Sequence, residues 1–223
     1  MSVVPDNVLA LTQGQVTLSR EDLRRVHGQM QRFMLGYEFG LREIETKLSI
    51  LRDEFTHMHD YNPIEHVTSR VKSVDSIMAK VSRRGLPADL EVIRDNITDI
   101  AGVRVTCSFV QDAYRLFDLL TEQDDVTVRT VKDYIATPKA NGYKSLHAIV
   151  EVPVFLSDGA VDIPVEVQFR TIAMDFWASL EHKIYYKYDG QVPSELVAEL
   201  GEAAATAAAL DERMERLHRE LRG

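Results

Sequence analysis

The chain has 223 residues, of which 45% are hydrophobic, and a formal net charge of −9. That length accommodates one large domain with a real core, while the acidic balance excludes general attraction to a phosphate backbone, so any basic site must be local. The single cysteine, Cys107, excludes an internal disulfide and a cysteine-based zinc site, no stretch reaches the ~18 apolar residues of a membrane span, and the chain reads as cytoplasmic.

Residues 1–18 have weak periodicity and read as a loose arm. From Glu21 to about His59, apolar positions from Val26 to Phe55 recur at steps of three and four. This predicts a long amphipathic helix with Gly36 and Gly40 as places to bend. Tyr61-Asn62-Pro63 stops it, because the residue before proline avoids helical geometry. Residues 74–83 predict a short helix capped by Ser73 or Asp75, and Pro87 can start another through Ile93. "IAGVRVTCSF" (100–109) predicts a strand and "VQDAYRLFDLLTEQ" (110–123) a helix. Three β-like runs follow, 126–134, 145–155 and 160–170. A helix over 171–187 is expected to turn Ile172, Phe176, Leu180 and Ile184 inward. A last helix, about 195–221, carries Leu210, Met214, Leu217 and Leu221 in a short heptad pattern. The order predicts a mixed, mostly antiparallel sheet with helices packed on it and long helices at both ends.

Three stretches carry candidate chemistry. In "SRVKSVDSIMAKVSRR" (69–84), Arg70, Lys72, Lys80, Arg83 and Arg84 face Asp75 alone. A solvated helix face accounts for them; a polyphosphate cradle is the sharper reading. Asp99 precedes one strand, and Glu166 lies within another, "IPVEVQFR", where Glu166, Gln168 and Arg170 alternate with Val165, Val167 and Phe169. Harmless polar residues on an exposed face would give that pattern. So would a polar floor whose carboxylates hold Mg²⁺ or take a proton. "KANGYKSLH" (139–147) loads an Asn-Gly turn with cations and a ring. Tyr143 can stack on a base, and Lys139, Lys144 and His147 can meet phosphates; an ordinary hairpin turn is the plainer account.

Taken together, "NPIEHVTSRVKS", "DIAGVRV", "PKANGYKSLH", "VEVQFRT" and "WASLEHKIYYK", in that order over about 40–190, resemble the RelA/SpoT-type alarmone synthetases, and most closely the small, stand-alone ones. The resemblance implies a nucleotidyltransferase-like sheet. It implies a synthetase domain over 19–190 and a C-terminal helix over 191–223 that builds a homotetramer or other homo-oligomer. The implied reaction moves the β,γ-pyrophosphate of ATP to the 3′-OH of GDP, GTP or GMP, with Mg²⁺. Carried over by position, Arg70 and Arg104 resemble the pair that sandwiches adenine, and Lys72, Lys80 and Arg83 the ATP phosphate ligands. Asp99 and Glu166 resemble the metal ligands, with Glu166 also placed to take the 3′-OH proton. Tyr143 resembles the ring stacked on guanine. Lys139, Asn141 and His147 resemble acceptor contacts, with Gln168 and Glu181 lining that pocket.

Other classes compete. Related toxins modify the 3′ end of tRNA or adenosine nucleotides, but net charge −9 and the lack of a second basic patch count against nucleic acid. A catalytically inactive nucleotide- or RNA-binding regulator has no need of Asp99 and Glu166. A purely structural helical protein leaves the whole constellation without a cause.

Overall fold

In the computed structural model, which describes residues 19–188 and 192–222, the long N-terminal helix α1 runs over Arg20–Met58. The arm expected at 1–18 lies outside the described residues. The chain divides into two units between Leu35 and Gly36, within the span of α1. In the larger unit Tyr37, Leu41, Ile44, Leu48, Leu51 and Phe55 are buried, as their spacing predicts.

Gly36 and Gly40 do not break α1. They let it approach the sheet: a Cβ on Gly40 would lie 2.6 Å from the Ile163 side chain. Gly40→Ala is therefore expected to lose roughly 1–3 kcal/mol by overpacking, although alanine is the better helix former. Urea denaturation would show the loss; a variant as stable as wild type would mean the contact yields freely.

The remaining elements are β1 (Ile64–Val71), α2 (Val74–Arg84), α3 (Leu90–Asn96), β2 (Ala101–Cys107), α4 (Val110–Thr121), β3 (Thr127–Asp133), β4 (Leu146–Leu156), β5 (Gly159–Thr171), α5 (Ile172–Lys187) and α6 (Ser194–Arg222). The strands form one sheet in the order β1-β2-β5-β4-β3. β2 and β5 run parallel; the other neighbours are antiparallel. The mixed, mostly antiparallel sheet expected from the sequence is present, with one strand more. β1 has no apolar alternation: Ile64 is its one buried residue. As an edge strand it gains its place from the ladder to β2, not from burying a face. Between the two candidate caps of α2, Ser73 is the one used: its hydroxyl accepts from the Ser76 amide.

The inward face of the central strands is apolar. Val165, Val167 and Phe169 on β5 stand beside Val103 and Val105 on β2 and Ala148 and Val150 on β4, all buried. Phe117 of α4 meets Phe169 edge-on, so α4 covers this face. α5 corrects an expectation. Ile172, Phe176 and Leu180 do not point inward but are 53%, 66% and 41% exposed, while Met174, Trp177 and Ala178 are buried. Both stripes of α5 are apolar, so spacing alone cannot choose between them. Trp177 decides it: its indole donates to the Leu200 carbonyl of α6 at 2.9 Å. The other stripe, with Leu210 and Met214, lines an open apolar groove between α5 and α6.

Candidate active site

Strand parity builds the site. Opposite the apolar face, β5 presents Glu166, Gln168 and Arg170, and the ladders set Gly102, Arg104 and Thr106 of β2 beside them. β4 adds His147, opposite Gln168. β1 adds Arg70, opposite Gly102. Gly102 leaves the floor open next to Glu166; the only atom within 4 Å of a Cβ there is the Glu166 carbonyl, at 3.8 Å. Arg70 and Arg104 are diagonal neighbours on the same face of two antiparallel strands, a separation of about 7–8 Å.

Asp99 sits at the entrance to β2 and gathers two of the sequence-predicted cations. Lys80 of α2 donates to its Oδ1 at 2.7 Å and Lys72 donates to its Oδ2. Burial would raise the Asp99 carboxyl, but the hydrogen bonds and charges of the two lysines hold it below the ordinary aspartate range. Lys72 and Lys80 are thus paired with a carboxylate in this state, not solvated. Arg83, on the same helix, is exposed.

Glu166 is held by a second group of residues. Gln168 donates to its Oε2 at 2.7 Å and His147 Nδ1 stands 3.5 Å from its Oε1. Burial pushes Glu166 up; His147 and Gln168 outweigh it and keep the carboxyl below the ordinary glutamate range, against a smaller upward push from Asp99. The two carboxylates therefore feel one another. His147 Nε2 lies 2.8 Å from the Tyr143 hydroxyl, and Arg170 Nη2 donates to that hydroxyl at 2.5 Å. A guanidinium can only donate, so the Tyr143 oxygen accepts from Arg170, and the way its own proton turns follows the His147 tautomer. Burial, first among the causes, raises the Tyr143 phenol, which keeps that proton in place. Arg170, Tyr143, His147 and Glu166 form one connected polar row.

The loop between β3 and β4 hangs over this group. Gly142, at φ +85°, supplies a left-handed turn, and its amide donates to the Lys139 carbonyl at 2.8 Å. Lys139 Nζ lies 4.6 Å from the ring centres of both Tyr134 and Tyr143. Asn141 donates to Glu181 of α5 at 2.9 Å. Lys139, Asn141, Tyr143, His147, Gln168, Glu166 and Glu181 thus belong to one neighbourhood. Arg104 is tied to Asp175 of α5 at 3.0 Å, and burial is the largest of the effects lowering its pKa.

Sequence reasoning missed Arg170 and Asp175 as members of the site. Arg170 is 5% exposed and also bonds Gln168, Ser145 and Asp175. A buried arginine alternating with Glu166 and Gln168 was the available signal: it needs acceptors on the same floor. Cys107 plays no part; it is buried on the apolar face and burial pushes its thiol up. Among the described residues no group of three or more His, Cys, Asp or Glu is placed to hold a metal ion. Asp99 and Glu166 form a two-carboxylate set.

The model of a region found in RelA and SpoT proteins matches residues 69–191, which runs from the end of β1 to α5 and takes in every residue just described. The chain belongs to the RelA/SpoT family. Its likeness to single members extends beyond that region. The chain is 47% identical over 201 residues to the GTP pyrophosphokinase YwaC of Bacillus subtilis, covering 90% of this chain and 96% of that one. The crystal structure of small alarmone synthetase 2 from Bacillus subtilis superposes with a TM-score of 0.78 at 48% identity, over 86% of this chain and 98% of the other. Small alarmone synthetase 1 from the same organism, bound to its product pppGpp, gives a TM-score of 0.80 at 38% identity over 87% and 99%. The same protein bound to AMPCPP gives 0.75 at 36% over 87% and 98%. The five-stranded mixed sheet is the RelA/SpoT synthetase fold, and no helix among the described residues is long and apolar enough to cross a membrane.

Proposed function

We propose that this RelA/SpoT-family chain is a GTP pyrophosphokinase. It transfers the β,γ-pyrophosphate of ATP to the 3′-OH of GDP, GTP or GMP, giving ppGpp, pppGpp or pGpp and AMP. The observation that carries the reading is Glu166. It is a carboxylate kept ionised on an open floor, with Gln168 donating to it, His147 beside it and two cationic groups of residues nearby. The relatives named above are GTP pyrophosphokinases and alarmone synthetases, one of them holding pppGpp and an ATP analogue in turn.

The chemistry follows from the placement. Glu166 takes the proton of the 3′-OH as its oxygen attacks the β-phosphorus. The bond from the β-phosphorus to the oxygen bridging it to the α-phosphorus breaks, and AMP leaves with that oxygen. Arg70 and Arg104, diagonal neighbours on one face of β1 and β2, offer planar guanidinium groups on which adenine can stack. Lys72, Lys80 and Arg83 supply charge for the donor's phosphates. Tyr143, carried with Lys139 and Asn141 on the loop, takes the acceptor base, and His147, Gln168 and Glu181 line its pocket. Asp99 and Glu166 offer hard oxygen ligands and no nitrogen or sulfur, and their mutual repulsion favours a divalent cation between them; these residues would hold Mg²⁺. When bound, Mg²⁺ would offset the negative charge gathering on the pyrophosphate.

The compartment is the cytoplasm, where the lone thiol stays reduced. A homo-oligomer through the terminal helices accompanies this reading, supported by the exposed Leu210, Met214 and Leu217; sedimentation velocity measures its size.

The test incubates the protein with Mg²⁺, ATP and GMP, GDP or GTP separately, and resolves the products by anion exchange. AMP should appear in equal amount with a guanosine nucleotide that has gained two phosphates. Folded protein that binds ATP and transfers to none of the three acceptors would overturn the proposal.

A further inference from the structure

The C-terminal helix α6 reaches the acceptor loop with one face. Its Leu200 carbonyl takes the Trp177 indole hydrogen bond at 2.9 Å. One turn on, Ala204 meets Gly142: a Cβ built on that glycine would lie 2.5 Å from Ala204 Cβ. Two turns further, Asp211 accepts from the Thr171 hydroxyl at 2.6 Å, at the junction of β5 and α5. Residues 200, 204 and 211 fall on one stripe of a helix. Tyr143 packs against the cluster that this stripe forms with Trp177 and Ala178.

The loop is therefore held from two sides. On the site side, Arg170 and Lys139 hold the Tyr143 hydroxyl and ring. Behind it, the Ala204 methyl of α6 sits against Gly142 and fills the space a side chain at 142 would need. Gly142 has no side chain that can yield, and its φ of +85° is one that other residues rarely adopt. A larger side chain at 204 must push the loop, and Tyr143 moves with it.

We infer that α6 seats the acceptor loop and that Ala204 is a positioning residue for the acceptor nucleotide, fixing the height at which Asn141 and Tyr143 stand over the site. This rests on the acceptor reading of the loop. The donor residues Arg70, Lys72, Lys80 and Arg83 lie on β1, its exit and α2; Arg104 reaches the Tyr143 group only through Asp175 and Arg170, so the larger effect falls on the acceptor.

The test is steady-state kinetics of Ala204→Leu with each substrate varied in turn. KM for the guanosine nucleotide is expected to rise on the order of ten-fold, since displacements of about 1 Å at a positioned group have effects of that size or larger. KM for ATP and kcat at saturating acceptor are expected to stay within about two-fold of wild type. Ala205→Leu makes the same change on the exposed side of α6 and should behave as wild type. Asp211→Ala loosens the seat without adding bulk; it should move acceptor KM the same way, and it carries the test if Ala204→Leu does not fold. Unchanged acceptor KM in the folded variants, or equal rises for both substrates, would overturn the inference. Tyr143→Ala identifies which step failed. If it raises acceptor KM while Ala204→Leu does not, the role of α6 falls alone. If it changes the ATP dependence alone, the acceptor reading falls and this inference falls with it.

Discussion

Glu166→Gln should lower kcat by roughly 10²–10⁴-fold, the range supplied by a positioned general base, and leave ATP and acceptor binding close to wild type. Glutamine has the same shape, and its carbonyl oxygen can still accept from Gln168 or face His147, so the polar floor has no reason to collapse. It cannot accept the 3′-OH proton. The pH dependence separates this role from a structural one. The folded-state pKa of Glu166 is depressed, so its contribution to stability is present above the ordinary glutamate range and lost as pH falls through the folded value. Wild type and Glu166→Gln should therefore converge in stability in acid and differ most near neutrality. The measurements are single-turnover transfer at pH 7 and urea denaturation across the acid range. A soluble, folded variant with wild-type turnover would remove Glu166 from the reaction.

The architecture was legible where one periodicity dominated. The Tyr37-to-Phe55 stripe of α1 and the alternation of Val165, Val167 and Phe169 each have one apolar side, so spacing fixes orientation. It failed where both sides or neither were apolar. α5 has two apolar stripes, and the choice between them is made by the Trp177 bond to α6, which is distant in sequence. β1 has no apolar stripe at all, and its strand exists because β2 offers a free ladder edge. The site shows the same division. Glu166 and Gln168 stood out as polar residues alternating with a buried run. That Lys72 and Lys80 would both turn onto Asp99 was not legible, because the pairing joins β1, α2 and the entrance to β2. The row of polar contacts from Arg170 to Glu166 was equally hidden. It needs the β4–β5 register, which sets His147 opposite Gln168, and a loop that brings Tyr143 back over both.

The Asp99 pairing makes a second large effect testable. Asp99→Asn should reduce turnover by about 10³-fold or more, because the site loses one of two carboxylates that would hold the divalent cation and offset charge in the transition state. Its effect on binding should run the other way. In the unliganded chain Asp99 occupies both Lys72 and Lys80, so part of any triphosphate's attraction is spent on displacing that carboxylate. Asparagine keeps a hydrogen-bond acceptor but frees two positive charges. ATP affinity measured without divalent cation should accordingly be equal to or tighter than wild type, by up to about five-fold for ~1 kcal/mol of released pairing. The variant should also be destabilised near neutrality, since two half-buried ammonium groups lose their counter-charge. Because Asp99 is held below its ordinary range, that loss should fade as pH falls through the folded value and the wild-type carboxyl protonates. Isothermal titration with ATP in EDTA, beside turnover in Mg²⁺, reads both halves. If Asp99 only braced α2 against β2, its loss would weaken ATP binding and turnover together, and the assignment of Asp99 to the reacting phosphates would be wrong.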